Sequence, residues 1–231
     1  LRFNFWRNLV ASVYEGRPVN HHVATALAES LQAGSPLSKQ FLLRILSARE
    51  ADFTSKSLYP TIDALEQYTE NTQSSILYLQ LEASGIRDFK VDHVASHIGK
   101  AVGLTTLLRG TPFHLAHRTL YFPSELMAKH RLSTEDLFRG NLNPQATSDV
   151  VFEIASLANN HIATARAHVK EYKEKGQFPA AAVPALLPAV ACDLYLKKLE
   201  RVNFDLFDKR LLGREWRLLY QLWKRNRAGM I

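Results

Sequence analysis

One stretch of the sequence, residues 95–123, constrains the fold more than any other, and the rest of the chain is expected to be organised around it. The stretch opens as a helix with small side chains on one side: Ala95, Gly99, Ala101 and Gly103. The Gly110-Thr111-Pro112 sequence predicts the end of that helix, because proline removes a backbone donor and clashes with the preceding turn. A loop then leads to Tyr121 and Pro123.

The length and composition are those of one globular domain. The chain has 231 residues, enough for a large all-helical domain with a sizeable core, and 46% of them are apolar. No run approaches the roughly 18 apolar residues of a membrane-spanning helix. The nearest, residues 178–194, contains three prolines. The single cysteine, Cys192, excludes an internal disulfide and is expected to face a core.

Hydrophobic periodicity and capping residues predict helices along most of the chain. Ser35-Pro36 is expected to start a helix that ends near Phe53, because serine caps helices and proline suits the first helical position. One long helix is predicted over residues 59–84, and Ser133 with an acid three residues later predicts a further start. The other predicted helices span residues 1–14 (ended by Gly16 and Pro18), 22–31 and 144–175, with two more near the C-terminus.

The helix-end Arg109, followed by Tyr121 and Pro123, resembles the second diagnostic motif of the squalene/phytoene synthase family. Further positions follow the order and spacing of that family over nearly the whole chain: Trp6, Tyr14, Gly16, Pro18, Tyr68, Ser133, Tyr195, Glu200, Asp205 and Arg210. The resemblance implies an all-α, isoprenoid synthase-like helical bundle that forms a single domain over residues 1–231. In the family a first Asp-rich motif precedes this region, so that motif and its helices are expected upstream of Leu1.

The catalytic groups of the family fall on other residue types in this chain. The family's glutamine falls on Gly103 and its asparagine on Thr106, while its two magnesium-binding aspartates fall on Gly110 and His114. Such aspartates hold the Mg²⁺ ions that neutralise a leaving pyrophosphate. Glycine offers no ligand, and neutral histidine is a poor ligand for Mg²⁺. The resemblance therefore implies a pseudoenzyme with no catalytic residue, no bound metal and no cofactor.

A second departure concerns the helix that lines the prenyl cavity in the family. Tyr68 retains the family's tyrosine, but Gln73 and Ser74 replace an Ala-Gly pair and Leu77 replaces a later glycine. Because protein interiors have little spare room, a tunnel of the family's size is expected to narrow or vanish. The polar run over residues 71–75 is either a satisfied internal network or a face turned outward.

Histidines recur near the start of the central helix. His93 and His97 are four residues apart and share a helix face, a spacing that can hold a transition metal. A third ligand could come from His114 or His117. The favoured interpretation is that these histidines are hydrogen-bonded or exposed separately, without metal. His161 lies on an apolar stripe and is expected to be a hydrogen-bonded core histidine.

The C-terminal segment is basic and aromatic, within a chain of net charge +7. Trp216, Tyr220 and Trp223 share one helix face. That pattern suits a helix lying on an anionic membrane surface. It also suits a last helix that packs its aromatic side chains inward and leaves a solvated basic face, which is the favoured interpretation. No nucleic-acid-binding motif is present, so nucleic acid is not expected as a partner.

Three runs, residues 68–79, 92–101 and 201–207, resemble the mitochondrial complex I (NADH dehydrogenase) assembly-factor branch of the family more closely than its enzymes. That resemblance implies a non-catalytic chaperone that acts by protein binding, in the mitochondrial matrix and peripheral to the inner membrane. The expected partners are complex I subunits or other complex I assembly factors.

The residues expected to form a vestigial diphosphate pocket or a partner-binding surface come from three helices and the loop after the central one. They are Asn71, Gln73, His93, His97, Thr106, Arg109, Gly110, His114 and Tyr121. An alternative function remains open: a prenyl- or lipid-binding protein, or a prenyltransferase with an altered metal site. The retained Arg109 and Tyr121 and the His93/His97 pair suggest it.

Overall fold

The computed structural model describes residues 2–17, 19–55, 58–141 and 143–231, and every regular element in these ranges is helical. The prediction of an all-α fold is confirmed. The α-helices are α1 Arg2–Tyr14, α2 His22–Gln32, α3 Lys39–Thr54, α4 Ile62–Thr69, α5 Ser75–Ala83, α6 Phe89–Ala116, α7 Ser124–Lys129, α8 Thr134–Arg139, α9 Pro144–Glu174, α10 Val183–Leu186, α11 Pro188–Glu200 and α12 Leu218–Arg227. A π-helical turn, Glu70–Ser74, joins α4 to α5.

The long helices α6 and α9 pack against each other along most of their length and form the centre of the bundle. Their contact buries apolar side chains such as Leu104 from α6 and Ile154 from α9. Burying one such side chain contributes about 1.5–3 kcal/mol. Asn143 caps α9 by accepting a bond from the Ala146 nitrogen at 3.1 Å, as the sequence predicts.

The small residues of α6 allow the π-helical turn to approach its backbone. A Cβ atom added at Gly99 would lie 2.5 Å from the Ser74 backbone nitrogen. A Cβ atom at Gly103 would lie 2.5 Å from the Cγ2 atom of Thr69. Both distances are shorter than real Cβ contacts, so only glycine fits at these two positions. The small side of the helix is therefore a packing surface for the preceding segment.

The predicted helix over residues 59–84 is interrupted, because residues 70–74 form the π-helical turn. Within this polar run, Thr72, Ser74 and Ser75 are buried. The Ser74 hydroxyl donates to the Ser96 carbonyl at 3.1 Å, which crosses from the turn to α6. Asn71 and Gln73 are half-buried. The predicted internal network is thus formed by the buried hydroxyl residues, and the predicted outward face by Asn71 and Gln73.

The prediction that Pro112 breaks the central helix is wrong, because α6 continues to Ala116. Proline removes the bond to the carbonyl of the residue four positions earlier, Leu108. The helix persists because Leu108 and Thr111, in the turn just before the proline, are buried. The Thr111 hydroxyl also donates to the Leu107 carbonyl at 3.0 Å.

The predicted helix start at Ser35-Pro36 is also wrong, since α3 begins at Lys39. The intervening residues are held by tertiary bonds. The Ser38 backbone nitrogen donates to the Glu82 carboxylate at 2.7 Å, and Arg87 donates to the Pro36 carbonyl at 2.5 Å. These bonds from the end of α5 and the loop after it keep the chain extended where local signals favour a helix.

Three local predictions are confirmed. The first helix buries Leu9, Val10 and Val13. It is followed by Gly16 with a φ of +73°, a conformation that favours glycine. Ser133 caps α8 by accepting from the Asp136 nitrogen at 3.3 Å. Leu1 and Pro18, which also entered the prediction of the first helix, lie outside the described residues.

The favoured interpretation of the C-terminal helix is wrong, because its aromatic residues point into solvent. Trp216, Tyr220 and Trp223 are 78%, 56% and 57% exposed, and Leu219 is 79% exposed. The opposite side of α12, carrying Leu218, faces α11. No single helix in the described ranges is long and apolar enough to cross a membrane. The segments Ala180–Leu186 and Pro188–Glu200 together reach that length and apolar composition, but they are bent by 45° relative to each other.

Candidate functional site

Three tyrosines converge on one carboxylate between α3, α4 and the loop after α6. The hydroxyl of Tyr59 donates to Oδ1 of Asp52 at 3.1 Å. The hydroxyls of Tyr68 and Tyr121 donate to Oδ2 at 3.3 and 3.1 Å. Arg49 donates to the Tyr68 oxygen at 2.6 Å. Both oxygens of the carboxylate are therefore engaged by phenol groups, and we call Asp52 with these three tyrosines the tyrosine cluster.

The electrostatics of the tyrosine cluster keep the phenols protonated. Burial, followed by the charge of Asp52, raises the pKa of Tyr121 to about 12. The pKa values of Tyr59 and Tyr68 are raised for the same reasons. Ionised phenols next to a carboxylate would repel it in a medium that screens charge poorly. The cluster is thus a stable donor–acceptor arrangement at neutral pH.

Two open cavities lie on either side of the tyrosine cluster. One, of about 330 Å³, is lined by Ala51, Gln67 and Asn71 together with cluster residues. The other, of about 710 Å³, is lined by Arg49, Arg118 and cluster residues. Asp52 is the only carboxylate among the described residues that line either cavity.

The structure places the expected site residues in separate regions. The tyrosine cluster includes Tyr121, with His114 packed edge-to-face on the Tyr121 ring at 4.8 Å between centroids. Burial lowers the pKa of His114. Gly110 faces His114, because an added Cβ would lie 2.8 Å from its Nε2 atom. Asn71 borders the smaller cavity.

The other expected residues lie elsewhere. Arg109 is exposed and lines a separate cavity with Tyr195 near the C-terminal segment. Thr106 is exposed on α6, and Gln73 is half-buried on the π-helical turn. The nine residues therefore do not form one pocket, and Arg109 in particular does not face the tyrosine cluster.

A second group forms on α6 and α9, around His93 and His97. The Nε2 atoms of these two histidines are 3.3 Å apart. His97 Nδ1 lies 2.8 Å from Nδ1 of His161. His168 approaches from α9, and ring nitrogens of His93, His97 and His168 lie within 4.8 Å of one another. His114 and His117, which the sequence offered as possible third ligands, do not belong to this group; His168 does.

The inner end of this histidine group is anchored by an acid. His161 is buried, and its Nε2 atom lies 2.9 Å from the Glu66 carboxylate. Lys100 pairs with the same carboxylate at 3.2 Å. Burial is the main cause that lowers the pKa of His97 to about 4, with His161 the next contributor, and burial also lowers the pKa of His161. The prediction that His161 is a hydrogen-bonded core histidine is confirmed.

The packing of α6 against α9 explains why the histidines meet. α6 and α9 cross with small residues between them, such as Ala95 and Ala165, both fully buried. That close packing brings residues of α6 and α9 that are far apart in sequence into contact. Sequence reasoning missed His168, because no local spacing relates it to α6. It also missed Tyr59 and Glu66, which carry no motif.

Comparison with known proteins gives the family. The sequence model described as squalene/phytoene synthase matches residues 1–219 of this chain. The chain belongs to the squalene/phytoene synthase family. The fold agrees, because the crystal structure of the squalene synthase HpnC from Alicyclobacillus acidocaldarius superposes with a TM-score of 0.76. That superposition covers 88% of this chain and 74% of the other at 15% identity, so it bears on the fold alone.

Proteins named as complex I assembly factors are more similar to this chain in sequence than that squalene synthase is. A Rattus norvegicus protein named NADH dehydrogenase (ubiquinone) complex I, assembly factor 6 is 42% identical over 90% of this chain and 60% of its own length. A Mus musculus protein of the same name is 39% identical over 98% of this chain and 66% of its own length. The predicted resemblance to the assembly-factor branch is confirmed. The chain spans about 60% of the length of the first of these relatives.

Proposed function

We propose that this member of the squalene/phytoene synthase family is a non-catalytic assembly factor for mitochondrial respiratory complex I. It keeps the prenyl synthase fold and acts through protein binding. Relatives about 40% identical bear that name, which supports the proposal. The same relatives speak against the alternative of a prenyltransferase with an altered metal site.

The observation that carries the pseudoenzyme part of the proposal is the state of Asp52. Holding Mg²⁺ against a diphosphate needs several oxygen ligands with free lone pairs. Asp52 is the only acid among the described residues lining the two cavities, and three phenols already donate to it. By the resemblance to the family, Gly110 and His114 are expected where its second pair of aspartates stands, and neither residue supplies a carboxylate.

An activity assay tests this part. Purified chain is incubated with farnesyl or geranylgeranyl diphosphate and Mg²⁺, beside an active squalene synthase as the positive control. The expected result is no pyrophosphate release above the rate without protein. Magnesium-dependent turnover that Asp52→Asn abolishes would contradict the pseudoenzyme assignment.

With this role we propose a location in the mitochondrial matrix and, as partners, complex I subunits or other complex I assembly factors. We propose that the half-buried edge formed by Asn71 and Gln73 takes part in partner binding. Its amide groups can donate and accept bonds at a protein surface. The hydroxyls of Thr72 and Ser74 in the same turn bond inside the bundle, and Asn71 accepts one bond from Gln67 at 3.1 Å. The amides of Asn71 and Gln73 are therefore the polar groups of this turn that we propose for recognition.

A pull-down from mitochondria in mild detergent tests the partner surface. The bait is the native chain, an Asn71→Ala/Gln73→Ala double variant, or Gln80→Ala as the matched control on an exposed position of α5. Complex I subunits or assembly factors are expected with the native chain and the control, and reduced with the double variant. Equal recovery with all three baits would remove this edge from the proposal.

We further propose that α12 attaches the protein peripherally to the inner membrane. Its outward face carries Leu219 and Trp223, and the exposed Trp216 lies just before the helix. The guanidinium groups of Arg217 and Arg227 lie 5.1 and 5.6 Å from the indole rings of Trp216 and Trp223. Exposed aromatic side chains beside basic groups suit the interface of an anionic bilayer. Apolar burial and charge attraction would then act on the same face.

Vesicle flotation tests the attachment. Binding to vesicles that contain cardiolipin is expected to exceed binding to neutral vesicles and to weaken with added salt. Trp216→Ala/Trp223→Ala is expected to abolish binding. Phe89→Ala, which removes an equally exposed aromatic side chain away from the basic helix, is the matched control and is expected to bind normally. Salt-independent binding, or equal loss in the control, would exclude α12 as the anchor.

A further inference from the structure

The histidine group on α6 and α9 has the composition of a metal site, and it lies apart from the tyrosine cluster. We propose that His93, His97 and His168 bind one divalent transition-metal ion of the zinc type through their ring nitrogens. The inference is independent of the assembly role and of the vestigial pocket. The sequence argued against metal because no glutamate completes an HExxH pattern with His93 and His97. The third histidine, His168, comes from a different helix.

The geometry is close to that of a tetrahedral ion. Three ring nitrogens bound to one tetrahedral Zn²⁺ at ~2.1 Å lie about 3.4 Å apart, which puts their ring centres roughly 5 Å apart. The Nε2 atoms of His93 and His97 are 3.3 Å apart. The ring centres of His93 lie 5.0 Å from His97 and 4.7 Å from His168, and those of His97 and His168 are 6.1 Å apart. Small rotations of the side chains close the remaining difference.

The hydrogen bonds behind the site orient the lone pair of His97. A carboxylate only accepts, so Glu66 requires the proton of His161 on Nε2. The Nδ1 atom of neutral His161 then accepts from Nδ1 of His97. This leaves Nε2 of His97 with its lone pair directed toward His93. In protein metal sites the second ring nitrogen of a ligating histidine is usually held by a hydrogen bond to a carboxylate, carbonyl or water. His161 would hold His97 in the same way and is itself bonded to Glu66.

The other side chains around the group are compatible with a cation. Lys100 lies on the same helix, and its pairing with Glu66 offsets its charge. His168 stacks on the Tyr172 ring at 5.7 Å, which limits the rotation of the imidazole. His93 is exposed, so an ion can enter from solvent and keep an open fourth position. Three neutral imidazoles favour Zn²⁺, Cu²⁺ or Ni²⁺ and disfavour Mg²⁺.

Metal titration of the untagged, chelator-stripped chain tests the site. Zn²⁺ is added, unbound ion is removed by gel filtration, and bound metal is counted by mass spectrometry; Co²⁺ is added separately as a spectroscopic probe. We expect one Zn²⁺ per chain, no Mg²⁺, and the strong visible absorption of tetrahedral Co²⁺. Sub-stoichiometric Zn²⁺, or only the weak spectrum of octahedral Co²⁺, would overturn the proposal.

Variants assign the ligands. His93→Gln and His168→Gln are each expected to weaken Zn²⁺ binding by more than tenfold, since even lost partners outside the ligand shell cost about 10–100-fold. His117→Gln is the matched control, because His117 is exposed at the end of the same helix and bonds only its own helix. Circular dichroism of each stripped variant establishes that it is folded. Equal loss in the control, or unchanged affinity in folded His93→Gln, would refute the assignment.

Discussion

The contact between α6 and the π-helical turn can be tested by adding one methyl group at Gly99. In Gly99→Ala the new Cβ atom would lie 2.5 Å from the Ser74 backbone nitrogen and nearer still to its Cα atom. Real Cβ atoms do not approach backbone this closely, so the turn must move away from α6. The movement would also stretch the bond from the Ser74 hydroxyl to the Ser96 carbonyl.

The magnitude follows from two opposing effects. Replacing glycine by alanine inside a helix stabilises it by about 1 kcal/mol. Overpacking a filled interior costs about 1–3 kcal/mol, and the upper end applies to Gly99 because the obstacle is backbone, which cannot rotate away. The net expectation is a loss of about 2 kcal/mol in the free energy of unfolding. For a domain of this size that corresponds to a fall in Tm of roughly 4–8 °C.

Gly110→Ala provides the matched control on the same helix. Its Cβ atom would meet only the side chain of His114, at 2.8 Å from Nε2, and a half-buried imidazole can turn aside. The control is therefore expected to be as stable as the native chain or slightly more so. Urea unfolding followed by circular dichroism measures both variants. If Gly99→Ala unfolds at the same urea concentration as Gly110→Ala, the proposed close packing is refuted.

Three further substitutions test individual charges. Asp193→Asn is expected to lower stability by about 2 kcal/mol at pH 7, because Arg166 and a lysine lose a buried acceptor. These cations lower the pKa of Asp193. The contribution of Asp193 to the free energy of unfolding is therefore present above the ordinary carboxyl pKa and is lost as the pH falls. In urea titrations at acid pH the native chain should lose more stability than the variant. Asp52→Asn is expected to lower the pKa of Tyr121 from about 12. The pKa should stay above 10, because burial is the larger cause of the shift. An unchanged titration of Tyr121 in ¹³C-tyrosine NMR would contradict this. Glu66→Gln is expected to weaken Zn²⁺ binding by about 10–100-fold, and an unchanged affinity would separate the acid from the histidine site.

Local signals in the sequence predicted most of the helices, because capping and periodicity depend on near neighbours. The caps at Ser133 and Asn143 have the expected bonds. The failures occurred where tertiary contacts override a local preference. Pro112 remains helical because the turn before it is anchored by buried Leu108 and Thr111. The chain before Lys39 stays extended because Glu82 and Arg87 bond to it.

For the candidate sites, too, the sequence predicts residue types, and only the tertiary structure shows which side chains meet. The resemblance to the family predicts that Gly110 and His114 stand where the family has acids, and this stays a prediction. It could not show that Asp52 is shared by three tyrosines from different segments. It also placed nine residues in one expected pocket, and the helical rotation of α6 directs Arg109 away from the tyrosine cluster.

By itself, the sequence determined the helical architecture and the family, because these follow from periodicity, spacing and residue type. The tertiary structure alone decided which side chains meet. The packing of α6 on α9 brings His168 beside His93 and His97. The docking of α12 through Leu218 decides that its aromatic face is exposed. Both depend on contacts between residues far apart in the chain, which no local pattern encodes.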